Sequence, residues 1–388
     1  NTITFYKNGA SQGVITLPST TTASTPYFIA CNHYDNASNA TFLLRSLSSD
    51  WTGSAPTGHL AIIQDNMPTG ESYQTAWSWI KNRDATDSHM LFDRVRGIYN
   101  DLHSDTSDTE VTNVNTLQRF LNGGVQVGND VQVNTASESY VAWNWYMEAT
   151  GSGSALTSGS INTTALVDTN LGVSVGTYTG SGSTGTIETG LTNTQFIIVK
   201  RRDSGANWAS WHVGLTDDRN VYLDVNNAQQ ADGLYDTSSN TSTLIAFAGG
   251  GGAVNAGSGT YSFIAFAPSQ FTSIGSYKGN GNANGSFVPT INSLGVPIQP
   301  AWVMIKRIDA ANNWCMRDII RDTDNPNEKE LDADLSNAEI TNSDLDIVTG
   351  GFKLRATDNL FNNSSGSYIY LAFGTPLIDV DGRIITGF

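Results

Sequence analysis

Cysteine is almost missing from this chain: there are two in 388 residues, Cys31 and Cys315, and two thiols so far apart form no disulfide framework. None is needed, because a chain of this length, enough for two to four ordinary domains, buries sizeable cores without staples. Charge is scarce as well. Charged residues make up 14% of the sequence, and 20 Lys plus Arg face 36 Asp plus Glu, a formal charge of −16. Such a surface repels phosphate backbones and anionic lipid, so nucleic acid and membrane surfaces are not expected as partners. No apolar run approaches the roughly 20 residues that cross a bilayer. The start, Asn1-Thr-Ile-Thr-Phe-Tyr-Lys-Asn-Gly9, has neither an initiator Met nor a signal-peptide layout. Ile3 and Phe5 followed by Asn8-Gly9 read as a strand entering a hairpin turn, and residue 1 is therefore expected to lie inside a longer protein.

What is abundant is Gly, Ser, Thr and Asn, with aromatics at 10%. That mixture suits short strands joined by polar turns; it is too aromatic for a disordered tail. Thr150-Gly-Ser-Gly-Ser154 and Gly249–Gly252 look like flexible linkers, but only the first falls at a boundary once the internal repeat is recognised.

The repeat is the main signal. Ile80-Lys81-Asn82-Arg83-Asp84, Val199-Lys200-Arg201-Arg202-Asp203 and Ile305-Lys306-Arg307-Ile308-Asp309 recur at offsets of 119 and 106 residues. An aromatic precedes each Lys by four positions (Trp77, Phe196, Trp302), and His89, Trp208 or Trp314 follows each Asp by five. A second signature, Asn-x-x-Ser-x-Ser/Thr-Tyr, ends at Tyr140, Tyr261 and Tyr368, which lie 59, 61 and 62 residues beyond the shared Lys. Each Tyr leads into an apolar strand. A third motif, Ser174 to Gly182 and Ser273 to Gly281, reads as an opening strand ending in a glycine-rich turn; the first copy has none that is recognisable. No helix pattern follows these glycines, so they form no nucleotide loop.

An all-β fold of tandem antiparallel β-sandwiches, jelly-roll or concanavalin-like, is therefore expected, with a unit of about 100 residues. The expected divisions are a partial sandwich over 1–70, with strands near 2–7, 12–17, 26–32, 40–46 and Leu60–Ile63, and then repeats over 71–153, 154–268 and 269–388. Asp101–Phe120 and Leu331–Asn342 are read as either short helices or loops.

Tyr27-Phe-Ile-Ala30 and Ala55-Pro-Thr-Gly-His-Leu-Ala-Ile-Ile-Gln-Asp-Asn-Met-Pro68 resemble the end of the lectin-like SPRY domains of bacteriophage structural proteins. Trp79-Ile-Lys-Asn-Arg-Asp84, Leu91-Phe-Asp-Arg-Val-Arg-Gly97, Tyr140-Val-Ala-Trp143, Ala301–Arg307 and Gly351-Phe-Lys-Leu-Arg355 resemble a domain of unknown function that follows it in marine phage and cyanophage proteins. The resemblance implies concanavalin-like sandwiches in a virion fibre, appendage or decoration protein, and it implies no catalytic residues.

Units one and three share a polar set: Lys81, Asp84, His89, Asp93 and Arg96 against Lys306, Asp309, Trp314, Asp318 and Arg321. Unit two has Lys200, Asp203, Trp208, His212 and Leu215. A glycan site would use the Asp and Arg on sugar hydroxyls and Trp314 as a stacking platform. A repeat more readily preserves an internal Asp–Arg pair that pins a strand to its turn, and the recurrence favours that reading. For the same reason Trp77, Phe196 and Trp302 are expected in the core. Trp51 and Trp211 have no equivalents and are the more suggestive aromatics.

Asp322-Thr-Asp-Asn-Pro-Asn-Glu328 and Asp379-Val-Asp-Gly382 lack the complete calcium loop and read as solvated turns. Histidines 33, 59, 89, 103 and 212 form no zinc pattern. The acidic stretches Asp101–Glu110 and Asp332–Glu339 read as solvation rather than as paired catalytic carboxylates. No catalytic residue, cofactor or metal is expected, and no glycan-binding residue is assigned. The expected function is a structural part of a virus particle, a tail fibre or appendage located on the extracellular virion. Its partners are copies of itself and other virion proteins, with host surface glycans as further ligands recognised through the variable segments Asp101–Asn122, Asp217–Thr241 and Asp322–Leu345. The alternative is a capsid-decoration protein, or a bacterial filament or adhesin subunit, without glycan binding.

Overall fold

A computed structural model describes residues 2–7, 10–16, 74–148 and 151–377. Cys31, His33, Trp51, His59, the strands expected near 26–32, 40–46 and 60–63, the SPRY-like residues and the Asp379–Gly382 turn lie outside the described residues. The chain divides into two compact units, 1–70 and 71–388. Of the first, Thr2–Lys7 and Ala10–Thr16 form an antiparallel hairpin with Phe5 opposite Gly13.

The larger unit is all-β and antiparallel, with sheets in a sandwich or near-barrel arrangement. In the first repeat the sheet order is Val111–Thr112, Asn100–His103, Met90–Asp93, Gln74–Asn82, Tyr140–Met147. In the second it is Ser154–Leu156, Thr163–Asp168, Val173–Thr179, Thr260–Phe266, Phe196–Arg201, Ala209–His212, Val221–Tyr222. The third runs Thr272–Lys278, Ser367–Pro376, Ile298–Arg307, Trp314–Asp318, Asn327–Asp332, Ile340–Val348, Gly351–Leu354, Phe287–Pro289. Asp101–Phe120 and Leu331–Asn342 thus contribute strands and loops and no helix; the α-helix among the described residues is a single turn, Val131–Asn134, whose N-terminus is capped by Asp130.

The three Lys strands are topologically equivalent. Each lies between its Tyr strand and the strand that follows it, and the register is the same three times: Lys81 opposite Val141, Lys200 opposite Ser262, Lys306 opposite Ile369. Each Tyr hydroxyl accepts the backbone N–H of the residue five before it (Thr135, Ala256, Asn363) and donates to a carbonyl nine before it (Val131, Gly252, Asn359). One side chain thereby closes the turn that the Asn signature begins. The glycine-rich turns pass close against that closure: a Cβ at Gly180 or Gly279 would lie 2.2 Å from the carbonyl oxygen of Ala256 or Asn363. Gly153 likewise packs on the Ala165 backbone, at 2.9 Å, so this glycine is held in the fold and does not act as a loose tether.

The repeats close on one another around an aromatic hub. Trp77, Phe196 and Trp302 come from the Lys strands, and Trp145, Phe266 and Phe373 stand directly opposite them on the Tyr strands. All six are buried. Trp77 stacks on Trp145 with centroids 3.8 Å apart, and Phe266 meets Trp77, Phe196 and Phe373 at 5.9, 5.5 and 6.0 Å, one ring from each repeat. A single apolar cluster consequently contains residues of all three repeats. Removing a shared ring leaves a cavity bordered by every repeat, so Phe266→Ala is expected to cost about 3–5 kcal/mol. Hydrogen exchange should show all three Tyr strands losing protection together; loss confined to residues 154–268 would contradict a common core.

Candidate functional site

Of the polar residues kept by the repeat, the three lysines, His89, Trp208, Trp314, Asp93, Arg96 and Asp318 are buried, whereas Asp84, Asp203 and Asp309 are exposed. The three lysines are 0% exposed. Lys81 Nζ donates to the carbonyls of Asn82 and Ala85, Lys200 Nζ to that of Ala206 at 2.6 Å, and Lys306 Nζ to those of Asn312 and, across a repeat boundary, Asn226. Burial pushes each ammonium down to about 8, opposed by nearby carboxylates such as Asp105, Asp224 and Asp334. Asp84, Asp203 and Asp309 accept the backbone N–H of Ser139, Thr260 and Ser367, which fixes the turn after the Lys strand to the start of the Tyr strand.

The aromatic five residues beyond each Asp makes the junction. Trp208 Nε1 donates to the carbonyl of His103 in repeat one at 2.8 Å, and Trp314 Nε1 donates to that of Tyr222 in repeat two at 2.7 Å. His89 completes the circle: its Nδ1 accepts from Trp79 Nε1 at 2.8 Å, so its Nε2 carries the proton and donates to the Asp332 carbonyl of repeat three at 3.0 Å. Burial, with the field of Lys81, lowers His89 to about 3, and the ring stays neutral. His103, Tyr222 and Asp332 occupy equivalent positions, opposite Met90, Ala209 and Cys315 on the preceding strand. The junction is thus made three times with the same donor and acceptor positions. Asp105, Asp224 and Asp334 accept the backbone N–H of the same three aromatics at 2.9, 2.9 and 2.8 Å.

Outside the aromatic contact lies a second layer. Glu110 N–H donates to Arg202 O, Glu339 N–H to Arg83 O, and Gln229 N–H to Ile308 O. At two of the junctions the side chains add charge. Glu110 bridges Arg202 (2.6 Å) and Arg96 (3.0 Å), and Arg96 is held in turn by Asp93 at 2.5 Å. Glu339 likewise bridges Arg83 (2.8 Å) and Arg321 (2.9 Å), with Asp318 on Arg321 at 2.5 Å. The third junction has Gln229, Ile308, His212 and Leu215 at those places. His212 is neutral there, lowered to about 4 by burial, and its Nε2 lies 3.3 Å from the Tyr370 carbonyl. Burial alone would raise Glu110 and Glu339; the bonds and fields of their paired arginines outweigh it and hold both below the usual carboxylate value.

This geometry agrees with one reading and corrects another. The Asp93–Arg96 and Asp318–Arg321 pairs do pin strand to turn, and they do so behind a closed junction: Trp314 is 1% exposed and offers no face to a sugar. The acidic stretches are not merely solvation, because Asp101, Asp105, Glu110, Asp334 and Glu339 are buried or bonded within the junctions. Equal spacing pointed to the strand residues; Glu110 and Glu339 lie beyond a loop four residues longer in the third repeat, which breaks the offset by which they could have been found.

Four further features remain. Cys315 Sγ and the carboxylates of Glu330 and Asp332 lie within 4.8 Å of one another, but Arg317 already supplies the cation, bonding Glu330 at 2.5 Å and Asp344 at 2.6 Å. Burial with Glu330 and Asp334 nearby raises Asp332 to about 8, and burial pushes the Cys315 thiol up as well. In the Asp322–Glu328 turn the Asp322 carboxylate accepts the backbone N–H of Asp324 and Glu328 and so turns inward on its own loop. Open surface is found at a polar hollow of about 370 Å³ beside Trp211, Asp217, Asp218 and Thr237, and at an apolar groove of about 460 Å³ along Trp143, Trp145, Tyr146, Leu171 and Ile320.

The model of a family described as Domain of unknown function (DUF7483) matches residues 57–376. No curated protein and no solved structure matches the chain.

Because the folded values of Glu110 and Glu339 are depressed, their stabilisation is fully present above the ordinary unfolded value of about 4.3 and is lost as pH falls through the lower folded values. Glu110→Gln should therefore cost on the order of 3 kcal/mol at pH 7 and much less at pH 3, while Gln229→Ala at the uncharged junction should cost about 1 kcal/mol or less at both. Urea unfolding at the two pH values measures this, and a pH-independent penalty for Glu110→Gln would contradict the charged-junction account. Asp332 has the opposite sign. Its raised value means stability present below about 3.9 and lost as pH rises through about 8, so Asp332→Asn should gain on the parent steadily across that window and stop gaining above it.

Proposed function

The chain belongs to the DUF7483 family, and from that premise we propose that it is a structural component of a virus particle: a phage tail fibre or appendage subunit that is not an enzyme. The observation that carries this reading is the use made of the repeated residues. Lysines, aspartates, arginines and indole N–H groups, the types that elsewhere build reactive or binding sites, are here tied up in the fold itself: Lys200 and the Asp–Arg pairs within a repeat, and Trp208, Trp314, His89, Lys306, Arg83 and Arg202 across to the adjoining one. A fold arranged in this way resists deformation, which suits a part that carries load or position. The resemblance of the Lys and Tyr strands to phage domains, the acidic surface and the polar, aromatic-rich strands support the same reading. Its partners are other virion proteins and further copies of itself, and its location is the extracellular particle.

Glycan recognition is a secondary role in this proposal, and one observation favours a place for it. The variable segment Asp217–Thr241 borders the polar hollow beside Trp211, whereas Glu110 of the first variable segment and Glu330, Glu339 and Asp344 of the third are engaged in internal ion pairs. Shallow, polar, aromatic-edged hollows are the form that sugar sites take on sandwich loops.

The test is localisation. An antibody raised against residues 154–377 should label a discrete appendage of purified particles in electron micrographs. Its absence from particles that are otherwise complete would overturn the proposal. On a glycan array, the parent should give a signal that Asp217→Asn with Asp218→Asn abolishes; a signal unchanged by that pair would remove the glycan role from this hollow.

A further inference from the structure

The third repeat puts charge where the other two put apolar side chains. Met90 and Phe92 of the first repeat are buried in one cluster with Ile80, Leu117 and Val133, and Ala209 and Trp211 hold the same two strand positions in the second. In the third those positions are Cys315 and Arg317, both buried. On the adjoining strand Asp332 stands opposite Cys315, and Glu330, two residues earlier and so on the same face, is buried as well. The scaffold closes twice without this set. A buried ion pair also returns little net stability over an apolar contact of the same shape, so the fold itself does not require it.

The charges of the set do not balance. Arg317, 0% exposed, donates through Nη2 to Glu330 Oε2 at 2.5 Å and to Asp344 Oδ1 at 2.6 Å, and through Nη1 to the carbonyls of Asn327 and Asn342. One guanidinium thus stands among three carboxylates, and its ion pairs go to two of them. Asp332 accepts a 3.3 Å bond from Asn313 on Oδ2, while its buried Oδ1 has no donor among the described residues. A donor is left over too. Arg317 Nε–H is buried without an acceptor among the described residues, although the guanidinium lies within bonding reach of Cys315. A neutral thiol accepts poorly, whereas a thiolate accepts well. With no further cation it is protons that settle the balance, and burial beside Glu330 and Asp334 accordingly raises Asp332 to about 8.

We propose that Cys315, Glu330 and Asp332 form a binding site for one divalent transition-metal ion, Zn²⁺ by the chemistry of the ligands. Cys315 Sγ and one oxygen of each carboxylate already lie within 4.8 Å of one another. A small inward shift brings the three onto one ion, with water as the fourth ligand. The thiolate selects Zn²⁺ over Ca²⁺ and Mg²⁺, which take oxygen ligands. Arg317 is the outer partner: the thiolate satisfies its Nε–H, and its Nη2 orients Glu330. Binding displaces protons. One leaves the Cys315 thiol and one the Asp332 carboxyl, and the ion takes over their charge. Asp332, half-buried where Cys315 and Glu330 are buried, is the side from which the ion enters. Its carbonyl also receives His89 of the first repeat, so the ion fixes the junction between first and third repeats along with the core of the third. None of this depends on a place in a virus particle.

The probe is Zn²⁺ itself, added to the metal-free full chain at pH 7 and followed by calorimetry in two buffers of different ionisation enthalpy, with Co²⁺ as an optical substitute. One Zn²⁺ per chain should bind with release of about two protons, and Co²⁺ should give the near-ultraviolet charge-transfer absorption of a thiolate ligand. Cys315→Ser should abolish that absorption and Cys31→Ser should leave it. Asp332→Asn, which removes the unpaired carboxyl and keeps the fold, should weaken Zn²⁺ roughly 100-fold and lower the proton release by about one. Urea midpoints of the metal-free variants separate a lost ligand from a lost fold. No binding at about 1 mM Zn²⁺, an absorption that follows Cys31, or an affinity unchanged in Asp332→Asn overturns the site.

Discussion

An N–H group taken out of water has to be given an acceptor, and the ring N–H groups of His89, Trp208 and Trp314 are all out of water. None finds its acceptor within its own repeat. Each reaches a main-chain carbonyl at the same position of a neighbour, in a sequence that runs from the first repeat to the third, from the third to the second and from the second to the first. An unsatisfied buried donor costs about 1–3 kcal/mol, so each repeat is poorly formed without the next. The aromatic hub, the buried lysines and the outer ion pairs are all arranged around that dependence.

The charged layer shows what is essential and what is optional. All three junctions keep the main-chain bond from the residue at position 110, 229 or 339. Only two keep the Arg–Glu–Arg bridge. Burying an ion pair returns little net stability compared with an apolar contact of the same shape, and the junction with Ile308 and Leu215 is the apolar solution to the same geometry. The buried lysines follow the same logic from the other side: their bonds to carbonyls satisfy the ammonium, and burial still makes protonation less favourable than in water.

Much of this was legible in the sequence, and the reason is local spacing. Lys81, Lys200 and Lys306 fall in equivalent strands, and Trp77, Phe196 and Trp302 fall in the core, because both are fixed by register within a single strand pair. What the spacing does not carry is partnership between repeats. Trp208 and His103 are 105 residues apart, and nothing in either stretch marks the other. The acidic segments misled for a related reason. Asp105 and Glu110 resemble solvated turn residues until a neighbour's arginine and backbone are placed against them, and a sequence read one repeat at a time contains no neighbour. The groove along Trp143 and Trp145 was hidden for a third reason: it arises from what adjoins a strand, whereas the strand's own pattern, apolar and aromatic, looks the same whether its edge is covered or bare.

The circle of three junctions is drawn with one covalent chain, and that changes how it responds to mutation and dilution. In a ring of three identical subunits every substitution is made three times, and a junction that tolerates no change in one place tolerates none anywhere. Here Leu215 and Ile308 stand where the other junctions have arginine, a local experiment that the remaining two junctions did not have to share. Closure is also intramolecular, so the ring does not come apart as protein concentration falls, and its three sides are free to diverge while the circle stays shut.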